Sequence, residues 1–250
     1  MNNILLIAGK EFRSYLKSPM AYIVAFIFLI FTGSFFVFYL SSNNYSDTSI
    51  RGFADPLALF GLGGLGNIFL LLFASIITMR LISEERKMGT WELLLTSPVK
   101  DVDVVMGKFI GSFGLLASII ALTIYYPIML YIFGDPDTGP IVSSYIGLFL
   151  FGSAALAIGI FASSITANQI VAAVVSLGIT GGLWVLGVLP QQIASMPAGL
   201  KTVFNFVSLS GHSAGFVVGV LDTRDIIYFV SITVLFLYLA ARSLESSRWS

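Results

Sequence analysis

Three places in this 250-residue chain carry residue types at spacings that chemistry uses. Gly61, Gly63 and Gly66 fit G-x-G-x-x-G, the pattern whose backbone cradles a pyrophosphate, but that use needs a strand ahead of the first glycine. Here the glycines sit inside an apolar run, so they read as helix packing or a local kink. Gly134-Asp135-Pro136-Asp137-Thr138-Gly139-Pro140 is superficially like a phosphate loop, yet the Lys and Ser/Thr that should follow its second glycine are absent. It reads as a turn. His212 is the sole histidine and has no second metal ligand nearby, which makes it a structural or substrate-facing residue rather than a metal site. Cysteine is absent, removing disulfides, thiolate metal sites and cysteine nucleophiles together. No nucleophile stands beside a base, so neither a catalytic residue nor a metal site is expected.

The chemistry the chain does advertise is docking. Ile82-Ser83-Glu84-Glu85-Arg86-Lys87-Met88-Gly89-Thr90-Trp91-Glu92-Leu93-Leu94-Leu95-Thr96-Ser97-Pro98 is a charged and then leucine-rich island between two long apolar runs. Ser83 is expected to cap a first helix that Gly89 closes, and Thr90 to cap a second that Ser97-Pro98 ends. That second helix offers Trp91, Leu93, Leu94 and Leu95 to a partner, because apolar surface left in water costs about 25 cal/mol per Å². The alternative is a loop helix lying flat on lipid.

The elements that hold this island belong to a membrane protein. With 57% hydrophobic and 10% charged residues and a mean hydropathy of +0.94, the chain has more apolar surface than a soluble domain of its length can bury. Net charge is zero and the basic residues are scattered, which argues against nucleic acid as a partner. About 20 apolar residues cross a bilayer, and six stretches qualify: 20–40, 57–79, 109–133, 141–165, 170–189 and 226–241. The last is short and is expected to use Asp225 and Arg242 as snorkelling ends. The first run lacks a small-residue cleavage site after it, so a removable signal peptide is not expected.

With the N-terminus in the cytoplasm, Lys10, Arg13, Lys17, Arg80, Arg86, Lys87, Lys100, Lys108, Arg242 and Arg248 fall on that side, and only Arg51, Lys201 and Arg224 on the other. This asymmetry follows the positive-inside rule and places both termini and the island in the cytoplasm. Ahead of the first span, Ile4, Ala8, Phe12 and Tyr15 recur on one helical face and Lys10, Arg13 and Lys17 gather on another. Residues 1–18 thus read as an interfacial amphipathic helix whose cations anchor it at the membrane surface. Residues 190–225 are too long for a turn and too apolar for a solvated loop, and they read as a re-entrant or external helical pair. Gly211, Gly215 and Gly219, four apart, are expected to let one of those helices pack closely. Asn67, Ser75, Thr78, Thr123, Tyr126, Ser176 and Thr180 give the spans polarity, but no ionisable group lies deep in any of them. Self-powered secondary transport generally needs such groups, so the energy should come from elsewhere.

In this order of elements the chain resembles the permeases of ABC-2 type transporters, most closely the branch with gliding-motility-associated and copper-processing permeases. Four stretches carry the resemblance: Lys10-Glu11-Phe12-Arg13 through Ser18-Pro19-Met20-Ala21-Tyr22; residues 83–108; residues 163–173; and residues 219–249 with Asp222-Thr223-Arg224-Asp225-Ile226-Ile227-Tyr228-Phe229 at their centre. The second is the most specific. Ala167 departs from the acidic residue expected of that branch.

The resemblance implies one all-α transmembrane domain over 1–250, with the island as a coupling helix resting in a cleft of a separate nucleotide-binding subunit. Its contacts would be Glu84, Glu85, Arg86, Gly89, Thr90, Trp91, Glu92, Leu93 and Leu94. The chain has no Walker lysine of its own, so ATP and Mg would sit on the partner ATPase and no cofactor on this chain. A second permease copy, identical or a close relative, membrane lipids and a periplasmic or accessory protein complete the implied partners, in the inner (plasma) membrane. Two other readings compete with an ATP-driven exporter: a non-transporting scaffold that docks a cytoplasmic partner, and a membrane-embedded enzyme, which the missing catalytic constellation disfavours.

Overall fold

The computed structural model describes residues 2–42, 65–89, 100–134, 137–193 and 196–246. Among them regular structure is entirely helical. In chain order the helices are α1 (Asn2–Lys17), α2 (Pro19–Ser42), α3 (Leu65–Thr78), α4 (Ser83–Lys87), α5 (Asp101–Leu122), α6 (Tyr125–Phe133), α7 (Thr138–Ser164), α8 (Gln169–Gln192), α9 (Ala198–Val207), α10 (Leu209–Val217) and α11 (Thr223–Ser246).

Local chemistry sets the breaks. Pro19 has no N–H to continue α1 and pushes Ser18 out of the helical region, and α1 and α2 meet there at 73°. Asp137 caps α7 by accepting the Gly139 N–H at 3.0 Å, Asn168 caps α8 through the Ile170 N–H at 2.9 Å, and Ser208 caps α10 through the Gly211 N–H at 3.1 Å. Thr138, Gly139 and Pro140, expected in a turn, are therefore the first turn of a helix. Between α5 and α6 the hydroxyl of Thr123 bonds back to the Ile120 carbonyl at 2.6 Å, and the Tyr145 hydroxyl donates to the carbonyl of Thr123 at 2.9 Å.

At the centre stands α7, packed by α3, α5, α8, α10 and α11. Its run Ala154-Ala155-Leu156-Ala157-Ile158 is wholly buried, and the small side chains let the neighbouring helices approach closely. Among the described residues, four stretches are long and apolar enough to cross a membrane: Asp101–Ile132, Thr138–Ser164, Gln169–Pro190 and Thr223–Ser246. The bent pair α1–α2 raises that to five when it is taken as one span. Of the expected span 57–79, only the part from Leu65 lies within the described residues, as α3. The third span starts at Asp101 rather than 109, and the last extends over Thr223–Ser246 rather than 226–241. Asp225 is not a snorkelling end: its carboxylate turns inward to His212. The glycines at 211, 215 and 219 do not form one packing face either, because α10 ends at Val217 and Gly219, at φ +88°, closes the turn beyond it against Pro140.

Candidate coupling site

Of the island, Glu84, Glu85, Arg86 and Gly89 lie within the described residues, whereas Thr90, Trp91, Glu92, Leu93 and Leu94 lie outside them. The one-turn helix α4 is too short to persist through its own hydrogen bonds and must be held by its surroundings. Ser83 is not its cap. The Ser83 hydroxyl donates back to the Met79 carbonyl, and the capping oxygen comes from α7: Ser163 Oγ accepts the N–H groups of Ile82 at 3.1 Å and Ser83 at 3.0 Å. At the other end Gly89 takes φ +70°, a left-handed conformation that suits glycine, and the chain leaves the helix there with Lys87 and Met88 exposed.

The sequence reading missed the residue beneath α4. Lys108 sits about two turns into α5, with its side chain only 2% exposed. Its Nζ donates to Glu85 Oε1 at 2.8 Å and to Glu11 Oε1 at 2.9 Å, so one ammonium joins α1, α4 and α5. Lys108, counted among the cytoplasmic-side cations, is thus a buried partner, and Glu85 has an ion pair inside the subunit. Glycine makes the geometry possible. A Cβ at Gly107 would lie 2.7 Å from Ile7 Cβ, and one at Gly111 2.7 Å from Glu11 Cβ, so α1 presses directly on the α5 backbone. Glycines at 107, 111 and 114 matched to Ile4, Ala8 and Phe12 are the sequence signal for this seam.

Two further bonds fasten α1 to the end of α3: Tyr15 Oη donates to the Ile77 carbonyl at 3.0 Å, and Arg80 Nη2 to Ser18 Oγ at 2.9 Å. Burial pushes the Tyr15 hydroxyl pKa up, Glu11 reinforces the rise, and Arg80 opposes it. Burial lowers the Arg86 pKa from its usual value. The face carrying Ala8 and Tyr15, expected at the lipid interface, is thus spent on α5 and α3. Lys10, Arg13 and Lys17 are exposed, and the apolar residues exposed with them are Leu5, Leu6 and Leu16.

His212 is built into the far connection. Its Nδ1 lies 2.7 Å from Asp225 Oδ1, its Nε2 donates to the Phe206 carbonyl at 3.0 Å, and its ring stacks on Tyr228 at 3.9 Å between centroids. The hydroxyl of Tyr228 donates to the Val207 carbonyl at 2.5 Å, so α9, α10 and α11 meet on one imidazole. Among the described residues no group of three or more His, Cys, Asp or Glu could hold a metal ion.

A helical bundle with several helices long and apolar enough to cross a membrane, and a short charged helix clamped at one end, defines a polytopic membrane protein. The chain belongs to the ABC-2 family of transporter proteins, whose family model matches residues 5–250. It is 27% identical over 164 residues to the probable multidrug ABC transporter permease YbhS of Escherichia coli strain K12, and equally to its counterpart in strain O157:H7. That match covers 63% of this chain and 42% of those relatives, so the chain spans less than half of the length of the permeases it matches.

Proposed function

We propose that this chain is the membrane-spanning permease subunit of an ATP-driven exporter, coupled through residues 83–98 to a separate nucleotide-binding subunit. The observation that carries the reading is the mounting of α4. A charged helix of five residues is fastened to α7 through Ser163 and to α5 and α1 through Lys108, and Gly89, at φ +70°, ends it. Such a mounting suits an element that takes load from outside the membrane.

In this reading six helices span the plasma membrane with both termini and the island in the cytoplasm, and α9 and α10 lie on the outer side. Glu84, Arg86, Gly89, Thr90, Trp91, Glu92, Leu93 and Leu94 meet the ATPase, and Glu85 supports them from below. ATP and Mg belong to that partner. Lys10, Arg13 and Lys17 hold α1 at anionic headgroups, and a second permease copy completes the translocation path. The matched YbhS permeases are described as multidrug transporters. An apolar cargo suits this chain too, because among the described residues its mid-span polarity consists of hydroxyls such as Ser75, Ser176 and Thr180 and not of charges.

Co-reconstitution with the cognate ATPase in nanodiscs tests the proposal. ATP hydrolysis above that of the ATPase alone, inhibited by vanadate and altered by apolar candidate cargo, is expected. An intact complex whose hydrolysis is indifferent to the permease would replace transport with the scaffold reading.

A further inference from the structure

We propose that Lys108 is the transmission residue of this permease, a buried cation through which displacement of the island is delivered to both α1 and α5. The link rests on the permease reading above. Glu85 belongs to α4, the stem of the island, Glu11 to α1, and Lys108 to α5. Bonds to Nζ at 2.8 and 2.9 Å make the two carboxylates share one counter-ion that has only 2% of its side chain exposed. When α4 moves, pulling either carboxylate from Nζ takes from a nearly fully buried ammonium one of its two counter-charges, so separation is resisted more strongly than at a neutral contact. The Ser163 cap ties α4 to α7 by neutral hydrogen bonds, and Tyr15 and Arg80 tie α1 to α3. Only the ion triad among these contacts runs from α4 to α1 through α5.

The glycines beside it fix the direction of the effect. Because α1 lies on the α5 backbone at Gly107 and Gly111, the two helices have no side-chain layer in which to slide, and a pull on Lys108 moves them together. Lys108 is accordingly a positioning residue: it touches neither nucleotide nor cargo, and it sets how far α1 and α5 follow α4. This predicts a variant in which the ATPase still binds and turns over, and α4 still moves, while α1 stays behind.

The chain has no cysteine, so single labels can be placed at will. Spin labels go at Lys87 beside α4, at exposed Leu6 on α1, and at exposed Val234 on α11 as reference. In the first arm the permease alone, in nanodiscs, is measured for the distance between positions 6 and 87. A narrow distribution in the wild type and in Lys108→Arg, and a broad one in Lys108→Met, is expected. In the second arm the complex with its ATPase is compared without nucleotide and with ATP and vanadate. Wild type and Lys108→Arg should shift both the 87–234 and 6–234 distances. Lys108→Met should keep the 87–234 shift and lose at least half of the 6–234 shift. Equal distributions for all three proteins in the first arm overturn the link whatever the protein transports. A full 6–234 shift in Lys108→Met overturns it while leaving the permease reading standing. No nucleotide-driven shift in the wild type overturns both. A Glu11→Gln variant, which keeps the lysine and its bond to α4, should reproduce the loss at position 6 and guards against misfolding of Lys108→Met.

Discussion

Ser75 Oγ on α3 and Ser176 Oγ on α8 lie 2.8 Å apart, and the helix between them, α7, admits the contact only because residue 159 is glycine. A Cβ at Gly159 would collide with Thr78 and come within 3.2 Å of Ser176 Oγ. Gly159→Ala should therefore force α3 and α8 apart, costing about 1–3 kcal/mol as overpacking does, even though alanine is the better helix former. Ser176→Ala should cost only about 1 kcal/mol, since it removes one neutral hydrogen bond and a helical serine can turn its hydroxyl to the carbonyl four residues before it. Unfolding in detergent, followed by circular dichroism, ranks the two variants. A Gly159→Ala protein at least as stable as the wild type would mean that α3 and α8 do not close on α7 as described.

The Ser163 cap makes a second test. Removing its oxygen leaves two buried N–H groups, at Ile82 and Ser83, without their acceptor. Ser163→Ala is expected to cost about 1–2 kcal/mol and to speed amide exchange across residues 82–88, because α4 has no other source of an N-terminal cap. Ser83→Ala removes only a hydroxyl that bonds back to the Met79 carbonyl, and exchange should stay slow. If Ser83→Ala loosened the segment more than Ser163→Ala, the cap would be local and the tie to α7 incidental.

His212 separates stacking from hydrogen bonding. His212→Phe retains a flat ring against Tyr228 but gives nothing to Asp225 or to the Phe206 carbonyl. It should cost about 1.5–3 kcal/mol, the range for bonds that involve a charged group, with Asp225→Asn milder because an amide still pairs with the ring. Thermal unfolding of both variants, beside a surface control such as Thr202→Ala, checks the order. Metal supplementation should change none of the melting temperatures.

Hydropathy made the membrane class, the helical content and the positions of the described spans legible, because apolar runs of about 20 residues can satisfy their backbone in a bilayer only as helices. The face of α1 was legible as well, since a period of 3.6 puts Ala8 and Tyr15 together. What covers that face was not: Ile4, Ala8 and Phe12 look the same against lipid as against the glycines of α5. The ion triad escaped for a similar reason. Lys108 sits at the edge of an apolar run, where a positive charge normally marks the cytoplasmic boundary, and its partners lie 97 and 23 positions away in sequence. Ser163 was hidden by the same distance. A capping serine is sought next to the helix it caps, and this one arrives from another helix.

The apolar end of the island remains the most direct test of docking. Trp91 and Leu94 lie outside the described residues, and the role proposed for them rests on the sequence and on α4, which ends at Lys87 and is fastened to the bundle. If the segment inserts into a cleft of the ATPase, Trp91→Asp buries an unpaired charge there. The penalty of roughly 3–5 kcal/mol would weaken association by about two to almost four orders of magnitude. Membrane insertion and melting of the permease alone should be unchanged, because residues 83–89 keep their own contacts. A segment that merely lies on lipid gives the opposite pattern, with weaker surface anchoring and full ATPase binding. Recovery of the ATPase on immobilised wild-type, Trp91→Asp and Leu94→Asp permeases, beside Ser247→Asp as control, distinguishes them. Loss of ATPase from the two island variants alone is expected, and equal recovery by all four proteins would remove the island from the coupling path.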